Sequence, residues 1–249
     1  MSTEHTAVIF DLDGTLVDSE PNYYEATLRT LTALAGDTDF DWERHTGYIG
    51  IGTRETLEIL GAHYGIEAPL EELLDATNRS YLELARASTP VYPEMRAFVE
   101  RLYVTGVPMA VASGSSRAAI EAVLAGTGLD AFLTTLVSAE EVGRGKPEPD
   151  VFLEAARRLG VAPARCVVFE DAAPGALAAR AAGMRCVALP YMAATADDPA
   201  FMAADLLLPG GQREFTARAA LDWLAQDPAR PHTPASSLAS DQDHQACRS

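Results

Sequence analysis

Ala7-Val8-Ile9-Phe10 is an unbroken apolar, partly β-branched run that stops at Asp11-Leu12-Asp13-Gly14-Thr15. An apolar run without alternation suits a strand covered on both faces, as in a parallel sheet. The same change from apolar to polar recurs twice. Val107 to Ala112 runs into Ser113-Gly114-Ser115-Ser116, and Val167-Val168-Phe169 runs into Glu170-Asp171. Weaker runs at Cys186-Val187-Ala188-Leu189 and Leu206-Leu207-Leu208 predict two further strands. Helical patterns lie between them: Glu94 to Thr105 closed by Gly106, Arg117 to Ala125 closed by Gly126, Asp150 to Leu159 closed by Gly160, and Gly175 to Ala182 between Pro174 and Gly183. Proline near a helix start and glycine just past its end is the usual asymmetry. Alternating strands and helices predict right-handed crossovers and an α/β, doubly wound parallel sheet, a Rossmann-like core with helices on both faces.

Between about Glu20 and Thr89 the strand pattern stops. Apolar residues at three- and four-residue spacing predict helices at Tyr23 to Leu34, Thr53 to Tyr64 and Leu70 to Ala87. Roughly 70 helical residues are too many for an ordinary connection. They predict a small all-helical cap inserted after the first strand. The expected boundaries are 1–19 and 90–226 for the core, 20–89 for the cap, and a Pro-, Ser- and Asp-rich tail at 227–249 expected to be disordered.

In an open parallel sheet, ligands bind beyond the carboxyl ends of the strands. Here those ends carry Asp11 and Asp13, then Ser113, then Glu170 and Asp171. The only lysine of the chain, Lys146, stands in Gly143-Arg144-Gly145-Lys146-Pro147-Glu148-Pro149, just ahead of a helix; every other basic residue is arginine. If the strands are neighbours, four carboxylates and one ammonium share a cleft. Like charges at 4 Å repel by about 4 kcal/mol at an effective dielectric of 20, so the cluster calls for a cation. Carboxylate donors without His or Cys suit a hard ion, Mg²⁺ before Ca²⁺.

Asp11-Leu12-Asp13-Gly14-Thr15-Leu16-Val17-Asp18-Ser19-Glu20, Ser113, Lys146-Pro147 and Glu170-Asp171 resemble, in order, the four motifs of the haloacid dehalogenase superfamily. The helical insert is similar to that of its β-phosphoglucomutase-like phosphatases, whose cap closes over small phosphorylated metabolites. The resemblance implies Asp11 as nucleophile and Asp13 as general acid/base, with Ser113 and Lys146 holding the phosphoryl group. It also implies Mg²⁺ on Asp11, the Asp13 backbone carbonyl and Asp171, with Glu170 a ligand or a support behind one. Gly114 and Ser115 offer backbone N–H groups to phosphate, and Thr15 orients the nucleophile loop. In the cap, Gly50-Ile51-Gly52-Thr53-Arg54-Glu55 resembles the family's specificity loop, which makes Gly50, Thr53 and Arg54 candidate substrate contacts.

Two positions depart from the mutase pattern: Thr53 stands where those enzymes place an arginine, and Tyr23 where they place a histidine. Both favour transfer of the phosphoryl group to water over a phosphosugar mutase, which is the alternative. The remaining expectations are negative. His45 and His63 lack ligand spacing and are expected to pack in the cap or face solvent. A net charge of −17 disfavours nucleic acid and anionic membranes, and no apolar run is long enough to span a bilayer. The first residues do not read as a signal peptide. Three cysteines, with Cys166 and Cys186 beside apolar strands and Cys247 in the tail, suit a reducing, cytoplasmic setting. A monomer is the expected state.

Overall fold

The computed structural model describes residues 6–49 and 52–226; Gly50, Ile51, the first five residues and the segment 227–249, with Cys247, lie outside the described residues. Strands β1 (Ala7–Phe10), β2 (Met109–Ser113), β3 (Thr135–Ser138), β4 (Cys166–Glu170), β5 (Arg185–Ala188) and β6 (Leu206–Leu207) form one parallel sheet in the spatial order β3-β2-β1-β4-β5-β6. β1 is flanked on both sides, with Phe10 opposite Val111 of β2 and Phe169 of β4. The chain winds outward from β1 first one way and then the other, which puts the topological switch point at its carboxyl end. β3 has only Leu136 and Val137 between hydroxyl residues, too short an apolar run to read as a strand from sequence.

After β1 the chain forms an insert of four helices, α1 (Glu20–Ala35), α2 (Trp42–Thr46), α3 (Thr53–His63) and α4 (Leu70–Ala87). Leu31, Phe40 and Leu60 make a small core of their own, ringed by Tyr24, Leu28, Tyr48, Tyr64 and Ile66. His45 is buried against the rings of Tyr24, Phe40 and Trp42 and bonds Glu20, while His63 is exposed and pairs with Arg44. The two chain passages into and out of this insert are bonded together. Asp18 N–H donates to the Pro90 carbonyl at 2.8 Å, and Asn22 Nδ2 donates to the Ser88 carbonyl at 3.1 Å and to Thr89 Oγ1 at 3.0 Å.

The core helices are α5 (Pro93–Val104), α6 (Arg117–Thr127), α7 (Asp150–Leu159), α8 (Ala173–Ala181), α9 (Pro199–Met202) and α10 (Ala217–Leu224). Side chains alternate across the sheet. Val8, Phe10, Val111, Val167, Phe169 and Val187 share one apolar cluster with residues of α5, α6 and α10. Within it the rings of Phe10, Phe98, Phe169 and Phe215 meet one another, and each buried phenylalanine contributes about 1.5–3 kcal/mol. Ala7, Ile9, Ala110, Ala112, Val168 and Ala188 face the other way, toward α7, α8 and α9. Cys166 and Cys186 are buried, unpaired fillers on that side.

The sequence closes α6 at Gly126, but the helix runs on to Thr127 and turns at Gly128, whose φ is 70°. Gly126 serves another purpose. A Cβ there would stand 2.5 Å from the Ala85 carbonyl oxygen of α4, so its missing side chain lets the cap helix lie directly against α6. Gly126→Ala would gain about 1 kcal/mol of helix propensity and lose about 1–3 kcal/mol to overpacking against a backbone that cannot retreat. The net loss of up to about 2 kcal/mol is expected to lower Tm by up to about 8 °C in thermal denaturation; a rise in Tm would show the contact to be looser than this.

Candidate active site

β1, β2 and β4 end side by side, and each delivers polar groups just past its last residue. Asp11 is buried, and its N–H donates to the Phe169 carbonyl, which continues the sheet ladder into the motif. The chain then turns at Gly14, where φ is +79° and a Cβ would stand 2.1 Å from Asp171 Oδ2. Only glycine satisfies both the left-handed backbone and the close approach of that carboxylate. A second glycine makes room in the same way: a Cβ on Gly175 would overlap the Glu170 carboxyl at 1.8 Å.

Lys146 reaches in from the loop before α7. Its Nζ donates to Asp11 Oδ1 at 2.5 Å and to Glu170 Oε2 at 3.0 Å, and its side chain is only 11% exposed. A lone lysine among arginines fits here because a compact ammonium can sit between two carboxylates without the width of a guanidinium. Carboxylate oxygens of Asp11, Glu170 and Asp171 all lie within 4.8 Å of one another. Asp171 is steadied by Thr15 Oγ1, which donates to it at 3.1 Å, and the Thr15 carbonyl accepts from Gln212 Nε2 at 2.7 Å.

These acids feel their crowding. Burial, partly offset by Lys146, pushes Asp11 up to about 6. Burial and then the charge of Asp11 push Glu170 up to about 8, and burial with both neighbouring acids raises Asp171 well above the usual carboxylate range. Burial works against the Lys146 ammonium, but Asp11 and Glu170 outweigh it and hold the lysine above its ordinary value. Three carboxylates face one ammonium, so full ionisation leaves two negative charges unmatched. An all-oxygen donor set with that deficit fits a hard divalent cation.

Asp13 takes no part in that group through its carboxyl, which turns instead toward hydroxyls. Ser115 Oγ donates to its Oδ2 at 2.6 Å, Ser113 Oγ approaches the same oxygen at 3.5 Å, and Tyr81 of α4 donates to Oδ1 at 3.2 Å. Tyr23 of α1 bonds Ser115 Oγ at 3.1 Å, and its ring stacks on Tyr81 with centroids 4.2 Å apart. Burial, reinforced by the charge of Asp13, pushes both tyrosines far above their ordinary values, so both are neutral hydroxyls. The loop after β2 is braced from below: Ser115 N–H donates to Ser113 Oγ, and Ser138 Oγ of β3 donates to the Ser115 carbonyl.

The structure therefore brings together Asp11, Asp13, Ser113, Lys146, Glu170 and Asp171, with Gly114 exposed beside Ser113. The cap candidates sit differently. Thr53 opens α3, Arg54 pairs with Glu71 in an exposed ion pair at 2.9 Å, and Gly50 lies outside the described residues. Sequence reasoning did not assign Tyr81 or Gln212. Tyr81 falls on the apolar stripe of α4, and Gln212 stands almost 200 positions from the loop that it supports. Tyr23 was visible only as a departure from a pattern.

Comparison with known proteins gives this geometry a lineage. The family model for haloacid dehalogenase-like hydrolases matches residues 5–183. The chain is 32% identical over 217 residues to Protein CbbY of Rhodobacter capsulatus, covering 83% of this chain and 93% of the relative. It is 36% identical over 191 residues to the fructose-1-phosphate phosphatase YqaB of Escherichia coli K12, covering 75% and 97%. Among solved structures, CbbY of Rhodobacter sphaeroides in complex with phosphate superposes with a TM-score of 0.72 at 27% identity, covering 84% of this chain and 96% of that one. A match over most of the chain, with relatives aligned along nearly their whole lengths, shows that this protein belongs to the haloacid dehalogenase-like hydrolases.

Proposed function

We propose that this chain is a Mg²⁺-dependent phosphatase of small phosphomonoesters, sugar phosphates foremost, acting through an aspartyl-phosphate on Asp11. The observation that carries the reading is the separation of two aspartates two residues apart. Asp11 faces Lys146 and the acid group, whereas Asp13 faces neutral hydroxyls. One carboxylate is thus set up as nucleophile and the other as proton carrier. The phosphatase names of relatives such as YqaB support the substrate class.

In the first half-reaction an Asp11 oxygen bonds to phosphorus, the ester P–O bond breaks, and Asp13 gives its proton to the departing oxygen. In the second, Asp13 takes a proton from water as that water attacks the aspartyl-phosphate, releasing phosphate and regenerating Asp11. Lys146, the Ser113 hydroxyl and the Gly114 N–H are the groups for the phosphoryl oxygens, where charge develops. Asp11, Asp171, Glu170 and the Asp13 backbone carbonyl are the groups to hold Mg²⁺, which when bound supplies charge neutralisation for the nucleophile and the phosphoryl group. The helices α1 to α4 act as the cap over this site.

The test is a phosphate-release screen over sugar phosphates, phosphoglycolate and nucleoside monophosphates with Mg²⁺, with products followed by ³¹P NMR. Release of inorganic phosphate from sugar phosphates is the expected result. Isomerised phosphosugar without phosphate release would install the mutase reading, and no turnover of any phosphomonoester would end the proposal.

A further inference from the structure

The cap does more than cover the site, because it supplies one of the hydroxyls that hold Asp13. Tyr81 comes from α4, near the place where that helix lies on α6, and it is 3% exposed. Its hydroxyl donates to one oxygen of Asp13 while Ser115 donates to the other. Ser115 has a single O–H and spends it on Asp13, so Tyr23 must be the donor in the Tyr23–Ser115 bond. The result is a row of donors, Tyr23 to Ser115 to Asp13, joined at the second oxygen by Tyr81. The stacked rings fix the two tyrosines relative to each other. Oδ2 takes Ser115 and the longer approach of Ser113, whereas Oδ1 takes Tyr81 and keeps a further lone pair, where proton exchange with substrate stays open.

We infer that Tyr81 is a positioning residue for Asp13: its hydroxyl, delivered by the cap, locks the carboxyl of the proton carrier in its working orientation and stabilises the carboxylate that remains after the proton has gone to the leaving group. The inference rests on the proposed role of Asp13. Proton donation matters when the departing oxygen is a poor leaving group, as in an alkyl phosphate, and matters little when it leaves readily as a nitrophenolate. A residue acting through Asp13 must share that dependence, whereas one that only supports the fold must not.

The experiment compares Tyr81→Phe with the parent on glycerol phosphate and on p-nitrophenyl phosphate. The substitution keeps the ring stack and removes one hydroxyl. Loss of a hydrogen bond to a charged group predicts a fall in kcat of about ten- to a hundredfold on the alkyl ester, against less than about threefold on the aryl ester, with KM nearly constant. Ser115→Ala removes the other donor and is expected to show the same split. In an Asp13→Asn background, Tyr81→Phe is expected to have no further effect. Equal losses on both esters, no loss on either, or an undiminished effect in that background would overturn the inference. The underlying reading fails separately, if Asp13→Asn itself loses the same factor on both esters.

Discussion

Asp11→Asn is expected to lower kcat on any phosphomonoester by about 10⁵-fold while leaving the fold standing, since the amide cannot form the acyl-phosphate on which both proposed half-reactions depend. Two opposed effects govern its stability. The substitution removes one of three mutually repelling buried acids, which burial has already pushed up to about 6. It also replaces the charged oxygen that Lys146 bonds at 2.5 Å with a neutral amide oxygen, leaving the Glu170 carboxylate at 3.0 Å as its remaining charged partner. These changes oppose each other, so Tm should stay within a few degrees of the parent. Activity and melting are measured on the same preparation. Residual turnover above about a hundredth of the parent would remove Asp11 from the chemistry. Collapse of the melting transition would instead make it a structural residue.

Removal of divalent metal by EDTA is expected to abolish turnover, and the stabilising effect of added Mg²⁺ is expected to grow with pH. The sign follows from the raised carboxyls. Asp11 at about 6, Glu170 at about 8 and Asp171 well above its usual range keep protons in the folded protein that the unfolded chain has already shed. Without metal, that contribution to stability is present below the ordinary carboxyl pKa and is lost as pH rises through the folded values. Protons and a divalent cation compete for the same oxygens, so the cation binds more strongly as the protons leave. The Mg²⁺-induced rise in Tm should therefore be larger at about pH 8 than at about pH 5.5. A larger rise at the lower pH, or turnover that survives EDTA, would defeat the assignment of Asp11, Glu170 and Asp171 as its holders.

The sheet was legible where the chain states it plainly. Ala7–Phe10, Leu70–Ala87 and Asp150–Leu159 were predicted to the residue, because an abrupt polar stop or a closing glycine marks each end that matters. Thr135–Ser138 was missed because hydroxyls surround its two apolar residues, and it is held as a strand by its pairing with β2. α10 went unread, although its alanines and tryptophan complete one face of the core. At the site, residues placed by strand ends were readable, because topology puts strand ends together. Tyr81 and Gln212 are recruited by packing of distant elements, a fact that no local pattern encodes.

The solitary lysine carries a practical consequence. Protein made with isotopically enriched lysine would hold a single labelled ammonium, and that nitrogen bridges Asp11 and Glu170. An NMR spectrum of such a sample would contain one side-chain resonance, free of overlap and silent about everything except this acid cluster. Titrating inhibitors, ions or acid into the tube would then read the state of that cluster directly, with no substitution made anywhere in the chain.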